Sequence, residues 1–177
     1  NTNTSIGADA LHYNTTGSKN VAIGADSLSS NTSGSLNTAI GQAALLFNTI
    51  GGNNIAVGLD AARYQADGST SLDTPNNSIY IGNFSRGYDN NDNNSIVLGT
   101  SVIGAGANTT VIGNSSMADV YLGSSSANAN IHSKKLYLGS SSIPGCIIMG
   151  DTAGGVGYIT LVSGVLTVSS TPPNACQ

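Results

Sequence analysis

The hydrophobic positions in the first 64 residues recur every seventeen residues. Each of four copies places an alternating triplet directly before a glycine, as in Val21-Ala22-Ile23 and Ile55-Ala56-Val57. Alternation of this kind predicts a short strand with residues i and i+2 on one face. A fixed period of this length is typical of a solenoid, in which each coil buries its apolar face only by stacking on its neighbours.

The pattern predicts a simple plan for each coil. The strand ends at glycine, a segment of small residues with one leucine forms a single helical turn or a tight bend, and Asn-Thr followed by glycine turns the chain back. We expect a rise of about 4.8 Å per coil. The aliphatic residues expected to stack into a continuous core are those before the glycines, namely Ile6, Ile23, Ile40 and Val57.

The polar positions of the repeat include one asparagine before each strand. In the first copies these are Asn20, Asn37 and Asn54. Stacked amide side chains satisfy their own hydrogen bonds between neighbouring coils. We therefore predict a structural role for this column and not a role in ligand binding.

The seventeen-residue period is interrupted once, after Gly58. The next aliphatic-glycine pair is Ile81-Gly82, 24 residues on, and the seven extra residues fall within segment 65–77. Loops inserted in a regular solenoid project on one side and are the first place to look for a binding site. A bulge without function is the alternative. The candidate ligand-binding residues in this loop and after the next strand are Asp67, Ser69, Asp73, Phe84, Arg86 and Tyr88.

Beyond the insertion the repeat changes its wording to NSIYIG, NSIVLG and NTTVIG, and the glycine spacing shortens from 17 to 14. The last residues contain YITLV-SG-VLTVS, which predicts a hairpin, followed by a Pro-Pro tail. A solenoid end needs a different structure to cover its open edge, so this hairpin is expected to be a cap. The predicted organisation is a β-roll with 17-residue repeats over 1–64, an inserted loop over 65–77, a β-roll with shorter repeats over 78–139, and a cap hairpin with tail over 140–177.

The middle residues of the strands form an apolar stripe that we expect on the face opposite the core. Such a stripe is unfavourable in water. Threefold packing of chains would bury it, whereas a monomeric roll with an apolar flank is the alternative. The predicted trimer interface consists of Ala22, Ala39, Ala56, Tyr80, Val97, Val111, Tyr121 and Tyr137.

Composition removes several classes of function. Only 8% of the residues are charged and the formal net charge is −4, which argues against the clustered Lys and Arg of a nucleic-acid or anionic-membrane surface. No apolar run reaches the roughly 18 residues of a membrane helix, so no membrane insertion is expected. With 39% hydrophobic residues at regular positions, the chain is predicted to fold.

The sequence offers little footing for catalysis. The chain contains no glutamate, no nucleophile-elbow pattern and no phosphate or dinucleotide loop, so neither an enzyme nor a cofactor is expected. In the Asn-rich segment 88–94, Asp89 and Asp92 are candidate Ca²⁺ ligands because oxygen donors suit that ion, with a plain polar loop as the alternative. Cys146 and Cys176 are candidates for a disulfide that staples the cap, with free thiols or links between chains as alternatives.

The repeats NSIYIG and NSIVLG, with the earlier NVAIG and NTAIG, resemble the head repeats of trimeric autotransporter adhesins of the YadA type and of phage tail fibres that share this repeat. The resemblance implies an all-β, left-handed parallel β-roll with 14–17-residue coils, in which three chains associate side by side into a rod. The usual coil of that family is nearer 14 residues. The resemblance also implies an extracellular or virion-exposed location.

The functional expectation is a trimeric structural fibre and adhesion module, on a bacterial surface appendage or a phage tail fibre, that recognises a cell-surface glycan or protein. The alternative is a subunit of an extracellular filament. In that case the uncapped N-terminal coil would stack end to end on the next molecule. Either way, the expected main partner of the chain is itself.

Overall fold

A computed structural model of the chain describes residues 2–117 and, after them, five further strands by their backbone. The chain divides into two units, residues 1–121 and 122–177. The described residues are all-β, with no helix among them, and none of them forms a helix that could cross a membrane.

The first unit is a β-solenoid in which every coil contributes one three-residue strand to a single parallel sheet. Neighbouring strands pair in chain order, and their register repeats the sequence spacing, with Thr4 opposite Val21 and Ile79 opposite Ile96. The seven strands are β1 Thr4–Ile6, β2 Val21–Ile23, β3 Thr38–Ile40, β4 Ile55–Val57, β5 Ile79–Ile81, β6 Ile96–Leu98 and β7 Thr110–Ile112. The predicted stacked coils are therefore confirmed over this part of the chain.

The inner and outer faces of these strands are the reverse of the prediction. Ala22, Ala39, Ala56, Tyr80 and Val97, at the strand centres, are completely buried inside the single chain. They cannot form the predicted trimer interface, because their side chains point into the coil. An alanine fits this position since the opposite wall of the coil is close. Of the remaining predicted interface residues, Val111 packs partly buried against the core, and Tyr121 and Tyr137 lie outside the described residues.

The residues predicted for the core lie on the outer face of the sheet. Ile6 and Ile40, which flank the strand centres, are 59% and 38% exposed. The expectation that they line the core was wrong because a three-residue strand turns its first and third side chains to the same side, and here that side faces outward. The outer face of the sheet is consequently apolar.

The second wall of the core comes from the tight bends after the strands. Leu28, Leu45 and Ala62 are fully buried there and all have left-handed backbone angles, with φ of 50°, 51° and 55°. Backbone hydrogen bonds join these bends from coil to coil, for example from Leu28 N to Ala44 O at 3.0 Å. The predicted tight bends are thus confirmed, and they pack against the strand centres in one hydrophobic cluster.

A buried asparagine column closes each coil and fixes it to the next. The side-chain amide of Asn37 donates to the carbonyl oxygen of Gly51 at 2.8 Å, across its own coil. Its Oδ1 accepts the backbone N–H of Asn54 in the following coil at 3.0 Å. Asn20 repeats both contacts with Gly34 and Asn37. The predicted structural role of this column is confirmed.

Serine replaces asparagine in the column where the repeat changes to Asn-Ser. The backbone N–H of Ser78 still donates to Asn54 Oδ1 at 3.0 Å. In the next coil, Ser95 N donates to the hydroxyl of Ser78 at 3.1 Å, and the hydroxyl of Ser95 donates to Gly106 O at 2.8 Å. The same two functions therefore continue with a shorter side chain.

In the second unit the described strands pair antiparallel. They form a two-stranded sheet of β8 and β9 and a three-stranded sheet in which β11 lies between β10 and β12. The bounds are β8 Gly139–Ser140, β9 Ile143–Pro144, β10 Cys146–Gly150, β11 Val156–Val162 and β12 Val165–Ser169. That these strands cover the end of the solenoid stays a prediction.

The asparagine column leads to a test of coil stacking. Replacing Asn37 with alanine leaves the buried Gly51 carbonyl and the Asn54 N–H without partners, so we expect the free energy of unfolding to fall by about 3 kcal/mol. Urea unfolding followed by circular dichroism measures the loss.

Two matched variants calibrate this measurement. Asn37→Ser keeps a hydroxyl acceptor, as Ser78 does, and should lose about 1–2 kcal/mol. Asn3→Ala removes the half-exposed first member of the column and should lose about 1 kcal/mol. Equal losses in all three variants would contradict a closing role for the buried side chains.

Candidate functional site

The inserted segment 65–77 begins as a tight, ordered hairpin. Tyr64 and Ser71 form an antiparallel bridge, and Gln65 N donates to Thr70 O at 2.8 Å. Leu72 is completely buried and anchors the returning chain to the core. Because the hairpin is tied down at both ends, it forms a fixed wall beside the coil instead of a free tail.

Asp67 holds the tip of this hairpin together. Its carboxylate accepts the backbone N–H groups of Ser69 at 2.9 Å and Thr70 at 2.8 Å, as well as the Thr70 hydroxyl. These hydrogen bonds, first of all the one from the Thr70 side chain, lower the pKa of Asp67 to about 2. The two predicted ligand residues Asp67 and Ser69 are therefore occupied in shaping the loop.

The hairpin forms one side of an open cleft on the solenoid. Gly68, at φ 76°, lies directly against the guanidinium of Arg86, and a Cβ at this position would collide with it. The cleft contains about 700 Å³ of space, part of it open to solvent. Its lining residues are Asp60, Tyr64, Gly68, Phe84 and Arg86.

A stacked cluster fixes one aromatic wall of the cleft. The rings of Phe47 and Tyr64 lie 5.8 Å apart, and the guanidinium of Arg63 sits 4.8 Å from the centroid of Tyr64. Arg63 also donates to Asp60 Oδ1 at 2.8 Å. The ion pair and the cation-π contact together hold Tyr64 in place and neutralise the carboxylate beside it.

Phe84 forms the other aromatic wall and is held in an uncommon backbone conformation. Its φ is 58° and its ring is 44% exposed. The equivalent position two residues after the strand glycine is left-handed in the other coils as well, where it carries only small side chains. These are Asp9, Asp26, Ala43, Asp60 and Ser101. A bulky aromatic residue at positive φ is unfavourable, so Phe84 is the exception in its column.

Arg86 is positioned by the next coil. Its backbone N–H donates to Val102 O at 2.9 Å, and its carbonyl accepts Gly104 N at 2.9 Å. Its Nε is buried and has no hydrogen-bond partner. The structure thus brings together two of the predicted ligand residues, Phe84 and Arg86, in one cleft.

The other predicted ligand residues lie elsewhere. Asp73 serves the stacking of coils, because its carbonyl oxygen accepts Thr49 N and its N–H donates to Asn90. Tyr88 is 52% exposed and lies outside the cleft lining. Neither residue faces Phe84 and Arg86 across the cleft.

Sequence reasoning missed Asp60, Tyr64 and Gly68. Tyr64 immediately precedes the insertion and continues the aromatic column of Phe47. That position could have marked it as the edge of the loop. The pairing of Asp60 with Arg63 follows from their i, i+3 spacing in the bend, which only the folded coil reveals.

The predicted Ca²⁺ ligands are engaged in other contacts. Asp92 is buried, and its Oδ2 accepts the hydroxyl of Tyr80 at 3.0 Å and the N–H of Tyr88 at 3.0 Å. Asp89 accepts the N–H of Asn91 at 2.8 Å. Within residues 2–117, no three acidic, histidine or cysteine side chains are grouped as metal ligands. Asp92 accordingly acts as the polar partner of a core tyrosine.

Burial controls the ionisation of the Asp92–Tyr80 pair. Desolvation, more than any other cause, raises the pKa of Asp92 above its ordinary value of 3.8. Desolvation and the neighbouring Asp92 charge raise the pKa of Tyr80 as well. Asp92 Oδ1 is buried without a partner, which adds to the cost of a charged carboxylate at this position.

The predicted disulfide cannot be placed in this description. Cys146 begins strand β10, and Cys176 lies outside the described residues. Their pairing remains a prediction.

In comparisons with protein-family models and with curated protein sequences, the chain has no match.

The raised pKa of Asp92 predicts a specific pH dependence of stability. Between pH 3.8 and the higher folded-state pKa, the folded chain holds more protons than the unfolded chain, so this residue lowers stability as pH rises. An Asp92→Asn variant lacks this effect. We expect its melting temperature, relative to that of the unaltered protein, to increase steadily with pH through this window.

Thermal unfolding from about pH 3.5 to about pH 7.5 measures this trend. Asp67→Asn is the control, because the lowered pKa of Asp67 keeps its carboxyl ionised in both states above about pH 5. Its melting difference should be constant there. A pH-independent difference for Asp92→Asn would contradict the proposed cost of the buried charge.

Proposed function

We propose that this protein is an extracellular structural fibre and adhesion module whose solenoids associate side by side as a homotrimer. The observation that carries the proposal is the apolar outer face of the seven-stranded sheet. The likeness of its repeats to YadA-type adhesin heads and phage tail fibres supports the same assembly. The proposed setting is a bacterial surface appendage or a phage tail fibre, and the proposed module has no catalytic role.

Two parallel columns of side chains cover this outer face. The strand register aligns both columns from coil to coil without a break. The first column is Ile6, Ile23, Ile40, Val57, Ile81, Leu98 and Ile112, and the second is Thr4, Val21, Thr38, Ile55, Ile79, Ile96 and Thr110. Neither column contains a charged residue, so copies of the chain can approach one another here without charge repulsion.

The exposed area on this face is large enough to favour association. Ile40, Ile55 and Ile81 are 38%, 39% and 43% exposed. Burying the remainder of each isoleucine stabilises a complex by about 1 kcal/mol. The face repeats this contribution along its whole length, and a continuous apolar strip of this kind is typical of a protein interface. A second and third copy of this chain are the partners it fits, since their faces have the same spacing.

The shape of the outer face also suits packing of identical copies. Its columns follow the stacking direction, and every coil of one solenoid presents the same two residue positions to its neighbours. Strands of one sheet are spaced about 4.8 Å apart, and identical copies repeat this spacing. Isoleucine, valine and leucine side chains from neighbouring copies can then interdigitate at regular intervals.

The test of the proposed assembly is the native mass in dilute solution, measured by light scattering. The chain mass is 17.6 kDa, and we expect a discrete species of three chains. The double variant Ile40→Asp, Ile81→Asp places two carboxylates on the outer face and should shift the mass to that of one chain, because their burial is unfavourable.

Ile50→Asp is the matched control. Ile50 is 61% exposed but lies in a turn outside the sheet, so this variant should keep the mass of the unaltered protein. Circular dichroism verifies that all variants are folded. A single chain for the unaltered protein would overturn the trimer, and an open-ended series of masses would favour the filament subunit instead.

A further inference from the structure

We propose that the cleft between Tyr64, Phe84 and Arg86 binds a saccharide that carries a carboxylate. This inference deepens the proposed function, on which its biological setting rests, by assigning the recognition site and the chemical class of its ligand. It stands on three observations: an unpaired cation, two aromatic walls around it, and a local charge balance that leaves the cleft positive.

The unpaired cation is Arg86. Within residues 2–117 the ion pairs are His12 with Asp9 and Arg63 with Asp60, and Arg86 takes part in neither. The guanidinium makes no side-chain hydrogen bond in this part of the chain, and its buried Nε is unpartnered. Its planar fork of N–H donors matches a carboxylate, which accepts two parallel hydrogen bonds from it.

The aromatic walls explain why the anion is expected on a sugar ring. Tyr64 and Phe84 both line the cleft beside Arg86. Each pyranose has an apolar face of C–H groups that packs on an aromatic ring, and a uronic or sialic acid carries its carboxylate on that same rigid ring. One ligand can therefore use the aromatic and the cationic groups together. An aspartate or glutamate side chain in a peptide has no ring to pack on Tyr64 or Phe84.

The backbone of Phe84 points to selection for this contact. Small residues occupy its column in the other coils, where the left-handed conformation is easier to adopt. An aromatic residue there costs stability, and its ring is 44% exposed, so burial alone compensates little. Strained residues of this kind occur at ligand sites, where the contact with the ligand accounts for them.

The charge balance of the cleft favours anions. Asp60 is the carboxylate in the lining, and Arg63 neutralises it through a hydrogen bond of 2.8 Å. Arg86 then remains as the uncompensated charge. The volume of about 700 Å³ lies within the range of small-ligand sites, and it admits one or two sugar rings while the rest of a chain extends into solvent.

The test is isothermal titration of the full chain with two acidic probes and a neutral one. The acidic probes are trigalacturonic acid, which carries uronates, and 3′-sialyllactose, which carries a sialic acid. Maltotriose is the neutral probe. We expect saturable binding of at least one acidic probe and binding at least about tenfold weaker for maltotriose. The stronger of the two acidic probes identifies the source of the carboxylate.

Variants assign the binding to the cleft. Arg86→Gln removes the cation, and Phe84→Ser introduces the small residue found at Ser101 in the next coil. Each should weaken binding of the acidic probe at least about tenfold. Tyr13→Ser is the matched control, since Tyr13 is an aromatic residue, 61% exposed, that lies outside the cleft. It should bind as the unaltered protein does.

Three outcomes would overturn the inference. They are no saturable binding of either acidic probe, binding that survives Arg86→Gln, and displacement of the saccharide by an equal concentration of a hexaglutamate peptide, which would indicate an acidic-peptide site. Native mass, measured on the same samples, separates this inference from the proposed assembly. Saccharide binding by a single chain would overturn only the trimer, and a trimer without saccharide binding would overturn only the ligand.

Discussion

The fold of this solenoid depends on hydrogen bonds that each coil makes with itself and with the next coil through one buried side chain. A coil of seventeen residues with a three-residue strand has little backbone pairing of its own. Asn20 and Asn37 supply both missing contacts, because each bridges to a glycine carbonyl fourteen residues on and accepts the N–H that begins the next strand. Removing the amide therefore loosens the coil and the stack together.

The period of the chain was sufficient to predict the stacked strands, the bends and the asparagine column, because all three follow from spacing alone. It was not sufficient to distinguish the two faces of a strand. In Val21-Ala22-Ile23 every position is apolar, so alternation contains no polar residue to mark the outside. Size is the remaining signal, since alanine fits the narrow interior and the larger residues stay outside. With that criterion the outer face is apolar, and it now offers the surface for self-association.

The candidate site was predictable in place but not in membership. The seven extra residues marked the right coil, and Phe84 and Arg86 were identified from the segment after it. The contacts that build the cleft join residues far apart in the repeat, such as Gly68 against Arg86. Likewise, Asp92 is engaged by Tyr80 twelve residues earlier, a pairing that depends on the path of the coil and not on its period.

The insertion also shows what the architecture tolerates. The coil that carries it is 24 residues long, yet Ile55 still pairs with Ile79 in the same register as every other strand. Loop length and stacking are thus independent variables in this fold. A lineage of such proteins could exchange one hairpin for another, and with it the molecule recognised, while every strand kept its neighbours. Diversity of recognition would then evolve at a single bend without a new scaffold.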